Sequence, residues 1–257
     1  MNKRFFSFGC SFTASWWPSW SDYIGLNFDE YYNYGCAGSD NKNMLYRVLK
    51  ADKEYKFTSD DYIMIMFTSF NRFSWVEEKN FEVRTIGDII DHNILVHPFK
   101  DNYNFATAIY DNCIMIQSIK TILESKNIKY KFLQSMEHDF DNDNFKIEGY
   151  VKPIYQDTLA LFKYPVMETW CYLNYDFKKE CVVWQDTNHQ DGHPVLNHHF
   201  DYVKTHFPHF INEKVEQYYK EQQEFFTNES PNVQSTRYIQ HTDNFYKDNN
   251  IIYKRKE

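Results

Sequence analysis

The sequence predicts an α/β fold, a three-layer α/β/α sandwich around a five-stranded, mainly parallel sheet. Three observations carry that expectation. Short aromatic or aliphatic runs alternate with amphipathic stretches along most of the chain, the pattern of strand-helix units. The run YIMIMF at 62–67 is unbroken and apolar, as a central parallel strand covered on both faces requires. With 7 Gly and 7 Pro in 257 residues, the chain is neither a repeat-turn barrel nor collagen-like nor a low-complexity linker.

The first strand is RFFSF at 4–8, short, aromatic and bounded by Gly9. Trp20, Tyr23, Ile24 and Phe28 follow at near-helical spacing. A second aromatic strand, EYYNYG at 30–35, runs into GCAGSDN. There Ser39, Asp40 and Asn41 offer N-caps to a helix whose apolar face is Met44, Leu45, Val48 and Leu49. The third strand lies in DDYIMIMFTSF, 60–70, and residues 71–100, which keep neither period, read as a long loop or lid.

From Tyr103 to about Lys126 the apolar residues again fall on one broad helical face, and KYKFLQS at 129–135 is a fourth strand. Within 136–180 a helix is expected from about Ile154 to Tyr164. CVVW at 181–184 reads as the fifth strand, and one amphipathic helix is expected from about Leu196 to Phe226. The domain therefore spans 1–227, and residues 228–257, polar and aperiodic, read as a tail or arm.

Composition narrows the function. Hydrophobic residues are 42% and aromatics 19%, with 23 Phe and 21 Tyr, so the chain can bury a large and unusually aromatic core. The formal charge of -8 disfavours nucleic acid as a partner, because neutralising phosphates needs a basic face. Cys10, Cys36, Cys113, Cys171 and Cys181 are odd in number and hold no C-x-x-C pair, which suits reduced thiols in the cytoplasm. Lys3 and Arg4 mimic the start of an export signal, but Phe5–Phe8 is shorter than the usual apolar region of about 7–15 residues. No run approaches a membrane span, and the chain reads as soluble and unprocessed.

In an open parallel sheet, ligands bind at the carboxyl ends of the strands. Four segments fall there: GCSFT at 9–13, NYGCAGSDN at 33–41, TSFNRF at 68–73 and DGHP at 191–194. A serine hydroxyl is a poor nucleophile until a base takes its proton, and a histidine is matched to that task at neutral pH. Ser11 thus needs a histidine brought from elsewhere in the chain.

In order and content the four segments resemble the motif blocks of the GDSL/SGNH hydrolase superfamily of esterases and lipases. The resemblance spans roughly residues 4–226 and rests on these short motifs. It implies a flavodoxin-like three-layer fold and a serine esterase that uses no cofactor and no metal. Ser11 would be the nucleophile, His193 the base, and Asp191 the carboxylate that orients the imidazole. The backbone N–H groups of Ser11 and Gly38 and the side-chain amide of Asn71 would form the oxyanion hole.

Two departures stand out. Cys10 occupies the position of the Asp in the family name, and Asp191 precedes His193 by two residues where the family more often has three. Residues i and i+2 of an extended segment point the same way, so Asp191 can reach the imidazole; Asp186 is a second candidate. The implied substrate is a small ester or an acylated carbohydrate, such as an O-acetylated sugar. The first two blocks resemble those of bacteriophage and marine bacterial members, which would allow a virion-associated role.

Other readings of the same residues stand beside these. Cys10 should point into the core, away from Ser11. Asn71 could cap its loop, and Arg72 could meet either a structural carboxylate or an anionic substrate group. His189, Asp191, His193, His198 and His199 crowd together, but their spacing fits no zinc pattern. DFDNDNFKIEGY at 139–150 lacks the Gly and Glu of a calcium loop. Trp16, Trp17 and Trp20 could stack on sugar rings or anchor the first helix. A second functional class is a structural or binding protein that keeps the fold while 228–257 makes an oligomer or assembly contact; it requires Ser11 far from His193 or buried.

Overall fold

The computed structural model describes residues 3–14, 17–70, 72–76, 83–86, 104–138, 146–176, 183–184, 189–190, 193–228 and 231–255. Its centre is a five-stranded parallel sheet built from β1 (Arg4–Gly9), β2 (Glu30–Gly35), β3 (Tyr62–Phe67), β6 (Lys129–Gln134) and β9 (Ile252–Arg255). The order across the sheet is β6-β3-β1-β2-β9. The α/β class expected from the sequence is therefore the observed one.

The aromatic runs explain the register. Phe5 pairs with Tyr31, Phe6 with Tyr32 and Phe8 with Tyr34, and in-register parallel neighbours place like side chains side by side. Their rings stack at centroid distances of 5.2, 4.7 and 5.0 Å. Alternation along β1 then sorts the two faces. Phe6 meets Tyr55 and Phe57 at the end of α2 (Asn41–Tyr55), while Ser7 and Phe5 lie with Tyr31 on the face of α1 (Trp20–Gly25).

Behind α2 pack α3 (Phe105–Ser125) and α4 (Val151–Leu159). On the opposite face α1 packs with α6 (Leu196–His206), and Tyr246 of α8 (Pro231–Asp248) donates to the Asp22 carbonyl at 2.6 Å. The remaining elements are α5 (Met167–Asn174), α7 (Glu213–Asn228) and two antiparallel pairs, β4 (Phe73–Val76) with β5 (Val83–Ile86) and β7 (Val183–Trp184) with β8 (His189–Gln190).

Four expectations change. The fifth sheet strand is Ile252–Arg255, not 181–184, whose Val183 and Trp184 pair with Gln190 and His189 instead. Residues expected to trail as a polar tail form α8 and β9, and Tyr253 stacks on Tyr246 with centroids 4.5 Å apart. The single helix expected over 196–226 is broken by a 3-10 turn at Pro208–Phe210, because proline cannot donate to the preceding turn. Within 71–100, where a long loop or lid was expected, β4 and β5 pair antiparallel, and 71, 77–82 and 87–100 lie outside the described residues. Among the described residues no helix is long and apolar enough to cross a membrane.

Candidate active site

β1 and β2 end on opposed glycines, Gly9 and Gly35, and the chain turns sharply after each. Beyond Gly9, the Cys10 carbonyl accepts from Thr13 N at 2.9 Å and Ala14 N at 3.2 Å. That turn buries Cys10 and Phe12 and leaves Ser11 half-buried at its tip. A Cβ on Gly35 would lie 2.6 Å from Ala14 Cβ and 2.7 Å from Ala14 N, so glycine there is what admits the Ser11 turn.

Beyond Gly35, Ser39 N donates to the Cys36 carbonyl at 3.0 Å, and Gly38 at the third position of this turn has φ +71°. A positive φ at that position belongs to type II turns and favours glycine. Asp40 caps α2, its side chain accepting from Asn43 N at 2.8 Å.

The histidine arrives from the far end of the domain. His193 Nε2 lies 2.6 Å from Ser11 Oγ, and the edge of the Phe12 ring packs on the imidazole with centroids 5.5 Å apart. Ser11 and His193 are 182 positions apart in the chain, so folding has brought together the two residues that the chemistry needs adjacent. Asn71, Asp191 and Asp186 lie outside the described residues, and so do Trp16, Cys181 and the acidic stretch 139–145.

A buried polar network holds the Ser11 turn from below. The Thr13 carbonyl accepts from Ser19 Oγ at 2.9 Å and Asn33 Nδ2 at 3.0 Å. Asp22 accepts from Ser19 N at 2.8 Å and Tyr31 Oη at 3.1 Å. Burial pushes the Asp22 carboxyl above its ordinary range, partly offset by its Ser19 bonds and by Arg255 of β9.

A second network fixes the end of β3. Asn41 donates to the Thr68 carbonyl and accepts from Thr68 N, both at 3.0 Å, as a strand neighbour would. Asn41 Nδ2 also reaches Asn112 Oδ1 at 2.7 Å, and Asn112 donates to the Phe70 carbonyl at 3.3 Å. His138 Nε2 lies 2.7 Å from the same Thr68 carbonyl, and its ring stacks on Phe70 with centroids 4.4 Å apart. Burial pulls this imidazole down to about 4, so it is neutral at pH 7 and donates through Nε2–H.

Glu168, in the first turn of α5, is raised mainly by burial, while Arg72 and His193 oppose that rise electrostatically. Arg72 Nη1 in turn points to the Ser39 carbonyl at 3.4 Å. Glu168 is thus within electrostatic reach of both Arg72 and His193. Sequence reasoning passed over Asn41 as more than a cap, and over Asn112, His138 and Glu168; Asn41 and His138 stand in the polar stretches SDNKN and EHD, which carry no mark of these bonds.

The other readings resolve in part. Cys10 is fully buried, as expected, and the described cysteines Cys10, Cys36, Cys113 and Cys171 are free. His198 and His199 lie in the first turn of α6, both fully buried. Among the described residues no group of three His, Cys, Asp or Glu is placed to hold a metal ion. Trp17 and Trp20 are buried among protein atoms, as anchors rather than as exposed stacking faces.

No protein-family model matches the chain, and no curated protein does. Among solved structures, a GDSL-like lipase from Bacteroides thetaiotaomicron aligns at 14% identity and a TM-score of 0.39, over 84% of this chain and 88% of that one. A member of the lipolytic protein G-D-S-L family from Veillonella parvula aligns at 13% identity and a TM-score of 0.42, over 80% of this chain and 98% of the other.

Proposed function

We propose that this protein is a serine esterase of the SGNH type, hydrolysing a small carboxylic ester. The observation that carries the reading is the 2.6 Å approach of His193 Nε2 to Ser11 Oγ at the carboxyl edge of the sheet. With its own proton on Nδ1, the imidazole accepts the serine proton through Nε2 as Oγ attacks the ester carbonyl. The tetrahedral oxyanion is stabilised by the N–H of Ser11, the N–H of Gly38 and the amide of Asn71. Asp191 orients the imidazole in this reading.

Collapse of the first intermediate expels the alcohol, which takes the proton from His193. Water, activated by the same imidazole, then releases the acyl group and restores Ser11. The polar side chains Arg72 and Glu168, the latter within electrostatic reach of His193, support a polar alcohol, and an O-acetylated carbohydrate is the substrate class of this reading. The alternative, a non-catalytic scaffold, needs Ser11 and His193 apart, so the contact between them speaks for the enzyme.

The test is hydrolysis of chromogenic esters of increasing acyl length by the wild type and by Ser11→Ala. The wild type should be active with a preference for short acyl chains. The variant should lose at least about a thousandfold in kcat with an unchanged circular dichroism spectrum. Equal rates in both proteins would overturn the assignment of Ser11.

A further inference from the structure

Ser11 and His193 sit on loops that share no secondary structure, so something must set the distance between them. Among the described residues, contacts beside the Ser11–His193 bond itself tie the serine loop and the helix after it to the histidine loop and the start of α6. The Phe12 ring touches the His193 ring edge-on, Tyr23 Oη reaches the Leu196 carbonyl at 3.5 Å, and Trp17 Nε1 donates to the Pro194 carbonyl at 2.7 Å. The last is short, buried and directed at the residue next to the imidazole; Trp17 is only 4% exposed.

Both ends of that bond are stiff. On the serine side, the turn is closed by the two bonds to the Cys10 carbonyl and pinned through the Thr13 carbonyl to Ser19 and Asn33. On the histidine side, proline fixes its own φ and confines the preceding residue, His193, to extended backbone. Holding the Pro194 carbonyl therefore also restricts where the His193 side chain can begin. Just beyond, Val195 N donates to His198 Nδ1 at 3.2 Å, tying the loop to the start of α6.

We infer that Trp17 is a positioning residue, whose indole N–H clamps the histidine loop to the serine loop and holds Ser11 and His193 at hydrogen-bonding distance. The inference rests on the esterase reading but adds a residue that touches neither the ester nor the reacting atoms. Its role is in the alignment of the pair and not in the binding of substrate.

The experiment separates alignment from folding and from binding. Trp17→Phe keeps an aromatic ring and removes the N–H; replacement of Trp17 by 3-benzothienylalanine keeps the bicyclic shape and removes only the donor. Each is compared with wild type for the rate at which a fluorophosphonate labels Ser11, for kcat and KM on a chromogenic acetate ester, and for Tm. Both variants should label more slowly and lose about 10- to 100-fold in kcat, the range a small misalignment produces. KM should stay within about twofold, and the benzothienyl variant should keep the wild-type Tm.

Labelling and kcat at wild-type levels in the benzothienyl variant would overturn the clamp while leaving the esterase reading intact. A loss of kcat matched by an equal loss of folded protein would also count against it, since Trp17 would then be a packing residue. A wild-type protein that takes no label at Ser11 would overturn the esterase reading, and the clamp with it.

Discussion

His138 offers a quantitative test of how the site is built. Its Nε2–H is committed to the Thr68 carbonyl, and its ring is sandwiched between Phe70 and Phe162, the latter edge-on with centroids 5.2 Å apart. Among the described residues Nδ1 has no hydrogen-bonding partner, so none of them would offer an acceptor to a proton added there. Burial accordingly moves the group from its ordinary 6.5 down to about 4, against the smaller opposing effect of the Thr68 bond.

Because the folded value lies below the unfolded one, the unfolded chain takes up the proton first as pH falls. The contribution of His138 to stability is intact above 6.5 and is lost as pH drops through the interval down to about 4. At roughly 1.4 kcal/mol per pH unit, the full loss is about 3 kcal/mol. His138→Gln removes the titration while keeping an amide that can donate to Thr68. Urea unfolding at pH 7 and pH 4 should show the wild type losing about 3 kcal/mol more than the variant over that interval. Parallel stability curves, or an imidazole that titrates near 6.5 in the folded protein by NMR, would refute the account.

Two further substitutions test the supports of the sheet. Gly35→Ala, which drives a methyl into Ala14, should cost about 1–3 kcal/mol and lower ester turnover through the displaced Ser11 turn; an unchanged urea midpoint would sink this. Asp61 accepts from Arg4 Nε at 2.7 Å, Arg4 Nη2 at 2.8 Å and Thr58 N at 2.7 Å. Asp61→Asn turns a donor toward these donors and should cost about 3 kcal/mol, a fall of roughly 6–12 °C in Tm, whereas a calorimetric Tm within experimental error of wild type would show that the pair contributes little.

Four of the five sheet strands were legible because each is an aromatic or aliphatic run bounded by glycine or polar residues. β9 was not. It stands at the sheet edge, alternates exposed and half-buried residues, and carries Lys254 and Arg255, so its short sequence looks like the polar segment around it. Conversely, CVVW has the apolar character of a sheet strand, yet its described residues pair in a separate two-stranded ribbon. Hydrophobicity reports burial, and which strand is the neighbour is decided by the rest of the chain.

The same distinction holds at the site. The turns that carry Ser11 and Gly38 left local marks, such as Gly9 after an aromatic run, whereas His193 was expected from the resemblance of DGHP and from the need of Ser11 for a base. Asn41, Asn112 and His138 act through bonds to residues 27, 71 and 70 positions away, and no local pattern encodes such a partner. Trp17 was noted only as one of three tryptophans. Its bond to Pro194 spans 177 positions, which only the folded chain displays.

The pairing of β2 with β9 also bears on how the protein is made. Tyr31 finds Tyr253 across the sheet edge only after about 220 further residues have been added, and at roughly 5–20 residues per second that takes on the order of ten to forty-five seconds. Throughout that interval the outer edge of an aromatic strand, EYYNY, is without its neighbour on the ribosome, where an open strand edge invites pairing with other chains. Yield in a heterologous host should therefore depend less on the stability of the finished fold than on what shields this edge during synthesis. Lower growth temperature or added chaperone should recover soluble protein.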